Sequence, residues 1–318
     1  MMIAMKPRIR LDSWEPEYTA PAERLLQERA ERQAQPLAAD GPWRAKSEAR
    51  EWSGPLIFVD GRFRSEAPLY LNEARALLVS MAVGAVALWP QQAHFLPKSF
   101  AVARYLLAPA GSWPLPHFTA AQDLRYQLVE AAGEYEDLRA AAMQLRQALE
   151  MKVGDELRGL YPDALILHDG PLHRISQAES LGRLGYAKTH HRAYLSEEHA
   201  RLLSELAPAE RTPVFTFLRG ERRFYSWYLR LPLQPERPYA AAATLLRVET
   251  AAPQDEALRL ADVSLGVFPR LASRPFRDPR APQNLVPVAA LERELGRLLG
   301  SPKLLRRRLL QYISEEAV

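Results

Sequence analysis

Two aspartates in this 318-residue sequence stand where carboxylates can hold a metal ion. Asp60 follows the apolar run at 55–59, Asp169 follows the run at 165–168, and a glycine follows each acid. Short apolar runs that end at a turn signal predict buried strands. Carboxylates at the ends of neighbouring buried strands are a usual way to bind a hard divalent cation. The alternative is that Asp-Gly only makes a turn, but two copies after two predicted strands favour a metal site.

A third carboxylate lies in the longest helical pattern, which covers residues 119–160. The apolar side chains of this pattern recur at spacings of three and four, and they are Leu138, Ala142, Leu145, Leu149, Val153 and Leu157. Glu150 directly follows Leu149 of this stripe and therefore lies about 100° round the helix from it. That position is the edge of the buried face, from which a carboxylate can reach a strand end.

The order of the predicted elements indicates the fold class. A strand at 56–60, an antiparallel meander of about three strands up to Pro109, the long helix and a strand at 163–168 give the order β-β-β-α-β. This order opens a ribonuclease-H-like mixed α/β sheet, in which acids of the first strand, the helix and the fourth strand meet at one edge. Three such carboxylates repel each other unless a cation neutralises them. Oxygen-only ligands favour Mg²⁺ or Mn²⁺, which promote phosphodiester hydrolysis.

The rest of the chain is predicted to add strands, closing helices and an N-terminal arm. Strands are predicted at 186–189, 212–218, 224–231 and 240–249, with a hairpin turn at 219–222. Helices are predicted at 196–206, 254–271, 288–299 and 302–316. Residues 1–50 are predicted as an arm with an amphipathic helix at 20–33, whose weak apolar stripe leaves a solvated arm as the alternative.

The composition excludes several classes of protein. The chain has no cysteine, so disulfides and thiolate zinc sites are impossible, and a reducing cytoplasm is expected. The longest apolar stretch, residues 76–90, is too short and too interrupted to span a membrane, and residues 1–11 lack an apolar signal core. A net charge of +4 permits nucleic acid as a partner without requiring it.

Four short segments and one longer one resemble the NurA nucleases. The short segments are FVDG at 58–61, LRQALE at 145–150, HDGPL at 168–172 and GYAK at 185–188. The longer segment, DPRAPQNLVPVAALE at 278–292, is similar to the bacterial branch of the family in particular. The resemblance covers roughly residues 50–310, which makes 51–318 the expected nuclease domain and 1–50 a separate arm.

The resemblance implies a function that composition and spacing do not show. It implies a homodimeric, manganese-dependent (or magnesium-dependent) nuclease that acts on DNA ends, with 5′–3′ exonuclease and single-strand endonuclease activity. It also implies a HerA-type hexameric ATPase as the partner, in the end resection that precedes double-strand break repair. The chain is then expected to be cytoplasmic and not bound to a membrane.

The resemblance also assigns roles to individual residues. Asp60, Glu150 and Asp169 are then the metal ligands, and Lys188 is the positive charge beside the scissile phosphate, where it meets a developing oxyanion. The alternative for Lys188 is an ordinary exposed lysine. His190 follows closely, with His191 next to it, but neighbouring residues of a strand point to opposite faces, so at most one of them can help.

The C-terminal segment departs from the family pattern. Many relatives carry a late histidine in the active site, and this sequence has no matching histidine. The polar candidates in the region are Asp278, Gln283 and Asn284. The role of this segment is therefore open at the level of the sequence.

Two other classes of function compete with the nuclease. Residues 182–189 (GRLGYAKT) resemble a phosphate-binding P-loop, but alanine replaces its last glycine and the strand–loop–helix context is not predicted. Residues 219–230 (RGERRFYSWYLR), with Arg222 and Arg223, suit a non-catalytic DNA-binding or scaffold protein that stacks bases and holds phosphates. The alternative for this run is a hairpin with a buried aromatic face. The three intact carboxylates favour the enzyme.

Overall fold

The described strands form one mixed sheet that is covered by helices on both faces. The computed structural model describes residues 9–11, 34–89, 92–121, 124–173, 175–188, 194–232, 244–274, 276–278 and 281–316. The strands, numbered in chain order, are β1 Ile9–Leu11, β2 Gln35–Pro36, β3 Leu56–Leu71, β4 Ala74–Leu88, β5 Ala93–Phe95, β6 Ala101–Ala108, β7 His117–Ala121, β8 Leu124–Glu130, β9 Leu165–Asp169, β10 Arg183–Ala187, β11 Phe215–Arg219, β12 Arg222–Arg230 and β13 Leu245–Thr250. The helices are α1 Tyr135–Leu160, α2 Glu197–Ala200, α3 Leu202–Glu205, α4 Gln254–Leu271, α5 Val286–Leu298 and α6 Pro302–Glu316.

The centre of the sheet has the predicted ribonuclease-H-like arrangement. Within the described residues the strand order is β2-β11-β12-β13-β10-β9-β3-β4-β6-β8-β7, while β1 pairs with β3 and β5 pairs with β4. Strands β3, β4 and β6 are the predicted antiparallel meander. Strand β9 lies parallel to both β3 and β10, so the chain returns to the middle of the sheet after α1. The predicted α/β fold class is therefore confirmed.

The two central strands are apolar runs because both of their faces are buried. Ile57, Val59 and Ile166 pack on one face with Val153 and Leu157 of α1. On the other face, Phe58, Leu165 and Leu167 join residues of α4 and α5 in the largest core cluster. A strand that is covered on both sides reads as a continuous apolar run rather than as an alternating one.

Helix α1 begins later than the pattern predicts. The predicted helix at 119–160 starts at Tyr135, where Glu134 and Asp137 form a capping box. The residues before it form the hairpin of β7 and β8. In β8, Leu124 and Tyr126 are buried while Arg125 and Gln127 are exposed. This period of two is the strand signal that the helical interpretation overlooked.

The later elements follow the prediction with shifted ends. The hairpin of β11 and β12 turns at Gly220, and α4, α5 and α6 are the predicted closing helices. The helix predicted at 196–206 is two short helices, and Ser196 caps the first by accepting a hydrogen bond from the His199 N–H. The strand predicted at 186–189 begins at Arg183. Residues 189 and 240–243 lie outside the described ranges.

The described parts of the N-terminal arm join the sheet. Strand β1 pairs with β3, and β2 pairs with β11 at the sheet edge. The helix predicted at 20–33 lies outside the described residues, so the separate arm at 1–50 stays a prediction. Among the described helices, none combines the length and the apolarity that crossing a lipid bilayer requires.

Candidate metal centre

Three carboxylates from distant parts of the chain converge at the middle of the sheet. Asp60 of β3, Asp169 of β9 and Glu292 of α5 each offer an oxygen, and these oxygens all lie within 4.8 Å of one another. Asp60 is only 6% exposed. Within the described part of the chain, this group has the composition and the spacing to hold one metal ion.

Asp60 does not occupy a strand end, contrary to the prediction. Strand β3 continues through Asp60 and Gly61 to Leu71, because β4 pairs with it along its whole length. Alternation along β3 turns Asp60 to the same face as Phe58, where α5 packs, and turns Gly61 toward α1. The Gly61 N–H donates a hydrogen bond of 2.8 Å to Asp60 Oδ1. The predicted turn at Asp60-Gly61 is therefore wrong, and Asp60 lies in the interior of strand β3.

Asp169 does end its strand, as predicted. Gly170 follows with φ of 125° and donates its N–H to the Tyr186 carbonyl at 2.9 Å. A Cβ on Gly185 would lie 2.7 Å from the Gly170 oxygen. The turn after Asp169 therefore needs a glycine at 170 for its backbone angle, and a glycine at 185 so that the loop can lie on β10.

A buried ion-pair cluster anchors the loop that follows Asp169. Glu249 accepts hydrogen bonds from the Leu172 N–H at 2.9 Å and from Arg219 Nη1 at 2.7 Å, and Arg247 pairs with its other oxygen. Burial alone would raise the pKa of Glu249, but Arg219 and Arg247 outweigh it and lower that pKa to about 2. The loop thus rests on a carboxylate that stays ionised.

Glu292 is the member of the group that sequence reasoning missed. It lies on α5 beside Val288, Leu291 and Leu295, which belong to the largest core cluster. A glutamate three or four residues from apolar core positions shares their side of the helix. This charge inside an apolar stripe is the available sequence signal. The predicted C-terminal candidates did not include it.

Lys188 and the C-terminal segment form a hydrogen-bonded network at the edge of the group. The Lys188 ammonium donates to Asp169 Oδ2 at 2.5 Å and to Asn284 Oδ1 at 2.9 Å. Asn284 Nδ2 donates to Asp278 Oδ2 at 2.6 Å and to Glu292 Oε2 at 3.2 Å. Asp278 and Asn284 therefore reach the site. Gln283 contributes in another way, because its amide donates to the backbone carbonyls of Lys188 and Leu245.

Glu150 lies beside the three-acid group, on the other face of the sheet. Its carboxylate pairs with Arg146, which also donates to the Gly61 carbonyl at 2.9 Å. A Cβ on Gly61 would lie 2.3 Å from Glu150 Oε1. The missing side chain at Gly61 is thus what allows this carboxylate to approach β3. Glu150 is near the group that contains Asp60 but does not belong to the set of atoms within 4.8 Å.

The buried acids are held in an environment that disfavours negative charge. Burial raises the pKa of Asp60 well above its usual value, and Asp169 and Glu150 raise it further, against the opposing charges of Lys188 and Arg146. Burial also raises the pKa of Glu150 to about 7, with Asp169 adding to the rise and Arg146 opposing it. A divalent cation would relieve this repulsion, so the donor set fits an ion with a preference for oxygen ligands.

Arg222 and Arg223 lie far from the carboxylates. Both are exposed at the β11–β12 hairpin. Trp227 pairs with Val248, and Val248 pairs with Tyr186, next to Asp169. Arg222 is therefore five residues along β12 from the row of the site, or about 16 Å at roughly 3.3 Å per residue. Phosphate binding by these arginines stays a prediction.

The structure contradicts the P-loop interpretation of residues 182–189 and the base-stacking part of the interpretation of residues 219–230. The aromatic side chains of β12 are almost fully buried (Phe224, Tyr225, Trp227 and Tyr228), so they are not available to stack on bases. Residues 183–187 are a strand, and Lys188 follows its end. A P-loop requires a loop at that place and a helix after it. His190 and His191 lie outside the described residues.

A comparison with protein families identifies one match. The family model described as the NurA domain matches residues 48–288. This range includes Asp60, Glu150, Asp169, Lys188 and Asn284, and it ends four residues before Glu292. A search of the curated proteins finds no match.

Proposed function

The chain belongs to the NurA family, and from this premise we propose that it is a metal-dependent deoxyribonuclease acting on DNA ends. Family membership supports nuclease activity in DNA processing. The observation that carries the metal dependence is the convergence of Asp60, Asp169 and Glu292, whose oxygens lie within 4.8 Å of one another. Asp60 is buried and the other two acids are half-buried, and a bound cation stabilises such a cluster in its ionised form.

The donor set fits Mn²⁺ or Mg²⁺. All of the candidate ligands are carboxylates, the oxygen ligands that these ions prefer. In this proposal Asp60, Asp169 and Glu292 hold the ion, and Glu150 is the adjacent fourth acid. When bound, such an ion supplies activation of water and stabilisation of charge on the leaving oxygen. Arg146 balances the charge of Glu150, which leaves the three-acid group to bind the cation.

Lys188 is proposed to contact the scissile phosphate. Its ammonium is fixed by Asp169 and Asn284, and its side chain keeps 18% of its surface exposed. A fixed and partly exposed positive charge is suited to an oxyanion that develops beside the acids. Because both partners are part of the site, the position of this charge requires no rearrangement during the reaction.

Cleavage of an end-labelled DNA duplex tests the proposed activity. We expect cleavage with Mn²⁺ and none with EDTA. Asp60→Asn, Asp169→Asn and Glu292→Gln should each lower turnover at least 100-fold, and their losses should not add because the ligands act as a unit. Glu294→Gln is the matched control, since this residue lies on the same helix but pairs with Arg297 on the surface.

The same assay distinguishes an enzyme from a scaffold. A chain that binds the duplex but leaves it intact at every metal concentration would be a non-catalytic subunit. Wild-type turnover in Glu292→Gln would remove the α5 carboxylate from the site. Cleavage that persists in EDTA would refute metal dependence altogether.

We further propose that the chain works as a homodimer with a HerA-type hexameric ATPase, in end resection during double-strand break repair. The family supports this partner, and residues 175–188 contain a strand where a P-loop would need a loop. A separate motor that feeds DNA to the acids raises the local substrate concentration without altering them. We propose 5′–3′ polarity with single-strand endonuclease activity, and a cytoplasmic location.

Sedimentation of the chain with such an ATPase tests the complex. ATP should stimulate duplex digestion only in the mixture, and Asp60→Asn should abolish digestion while ATP hydrolysis continues. A monomer that never co-sediments with the ATPase and digests long duplexes alone would contradict this part of the proposal. Strands labelled at the 5′ or the 3′ end report the polarity.

A further inference from the structure

We propose that Asn284 is a positioning residue of the metal centre, which fixes Glu292 and Lys188 relative to each other through one buried side-chain amide. The inference rests on the proposed function, because it assigns Asn284 a role toward the metal ligand Glu292. It also gives the C-terminal segment a role that does not depend on a histidine.

The chemistry of its partners determines how the amide is oriented. An ammonium can only donate hydrogen bonds and an ionised carboxylate can only accept them. Asn284 Oδ1 therefore faces Lys188 at 2.9 Å, and Nδ2 faces Asp278 at 2.6 Å and Glu292 at 3.2 Å. The reversed amide would place N–H groups against the ammonium and an oxygen against two carboxylates.

The location of Asn284 makes these bonds strong constraints. Its side chain is fully buried, and a polar group without solvent depends on its protein partners. The neighbouring Gln283 donates its amide to the backbone carbonyl of Lys188 at 2.9 Å. Two consecutive residues thus hold the side chain and the backbone of one lysine. Asn284 also lies just before α5, so it ties the start of that helix to the carboxylate on its second turn.

No other residue type of similar size does the same task. Aspartate would keep an acceptor for Lys188 but would place a third negative charge beside Asp278 and Glu292. Leucine keeps the branched shape but removes all three hydrogen bonds. The neutral amide is the group that accepts from a cation and donates to two anions at once.

Binding of Mn²⁺ by isothermal titration calorimetry tests the role without a cleavage step. Hydrogen-bond partners of metal ligands typically contribute 10- to 100-fold to metal affinity. We expect Asn284→Leu to raise the Kd for Mn²⁺ by about 10- to 100-fold. In a Glu292→Gln background the same change should raise it by less than about 2-fold, since Asn284 acts through Glu292. Turnover should fall with little change in KM for DNA.

Ser264→Ala is the matched control for a purely structural effect. Ser264, on α4, is also fully buried. It accepts a hydrogen bond of 2.9 Å from Nε1 of Trp227 on β12. This variant should lower the melting temperature but leave the Kd for Mn²⁺ unchanged. If Asn284→Leu does not fold, Asn284→Gln keeps the amide and shifts it by one methylene, and it should show the same direction of change.

The outcomes separate this inference from the proposed function. A wild-type chain that binds no Mn²⁺ overturns both. A wild-type chain that binds Mn²⁺, with Asn284→Leu binding it equally well, overturns only the role of Asn284. Equal losses of affinity in the wild-type and Glu292→Gln backgrounds also overturn it, because Asn284 would then act independently of Glu292.

Discussion

Replacement of Gly61 by alanine should impair the site far more than the fold. The glycine is in the interior of β3 with no left-handed backbone angle, so its backbone permits alanine. An added Cβ would lie 2.3 Å from Glu150 Oε1 and 3.0 Å from Val83 Cγ2. Since real Cβ contacts essentially never fall below 3.0 Å, the carboxylate and β3 must separate by about 0.7 Å. The strain is therefore concentrated on Glu150.

The expected magnitudes differ for stability and for turnover. Overpacking costs about 1–3 kcal/mol in the free energy of unfolding, and the lower end applies here because the displaced atom is the far end of the flexible Glu150 side chain. A displacement approaching 1 Å in a reacting site can lower turnover by about 100-fold. We expect Gly61→Ala to lower kcat on a labelled duplex by about 10- to 100-fold while the urea midpoint falls only slightly. Glu150→Gln should then have a much smaller additional effect, because both changes act on one carboxylate.

Gly266→Ala provides the matched control for this experiment. An added Cβ there would lie 2.5 Å from the Arg50 carbonyl oxygen, which is a similar intrusion on α4 without contact with the acids. An equal loss of kcat in both variants would show that turnover follows stability. If Gly61→Ala has the same kcat and the same Mn²⁺ affinity as the wild type, Glu150 is not part of the site.

Three further predictions concern charge. Lys188→Ala should lower kcat about 100-fold or more with a smaller effect on DNA affinity, because its charge matters most in the transition state; equal effects on both quantities would contradict this. Arg222→Ala with Arg223→Ala should weaken DNA binding and reduce its salt slope by about two, and an unchanged slope would exclude phosphate contacts. The pKa of Glu249 is lowered to about 2 by two arginines that outweigh burial, so its stabilisation is complete above its unfolded pKa of 4.5 and is lost as the pH falls toward 2. The contribution of Glu249 to stability should therefore be about 2 kcal/mol smaller at pH 3 than at pH 6. Urea unfolding should show this as a stability difference between the wild type and Glu249→Gln that shrinks by that amount.

The central strands could be predicted from the sequence because their signal is strong and local. Runs such as 56–59 and 165–167 are apolar on both faces, and helices cover both faces in the structure. The turn after Asp169 could be predicted for the same reason, since Gly170 is adjacent. The order β-β-β-α-β then led to the correct centre of the sheet.

The sequence-based prediction failed where contacts between distant parts of the chain decide the structure. Asp-Gly at 60–61 has turn propensity, but β4 pairs along the whole of β3 and keeps the segment extended. The helical prediction included strand β8 although Gly133, with φ of 126°, separates that strand from the helix that begins at Tyr135. Glu292 was missed because its local signal, a charge inside the apolar stripe of α5, does not show which strand the helix packs against.

One core cluster determines how the three acids meet. Phe58 precedes Asp60 by two residues, Leu167 precedes Asp169 by two, and Leu291 directly precedes Glu292; all three apolar side chains are fully buried in the same cluster. Each acid thus lies within two residues of a side chain that anchors its strand or helix in the core. Because the cluster joins β3, β9 and α5, the packing that stabilises the fold also brings the carboxylates together. The family match ends at residue 288, before α5 completes this cluster, so the packing that brings the three carboxylates together extends beyond the matched range.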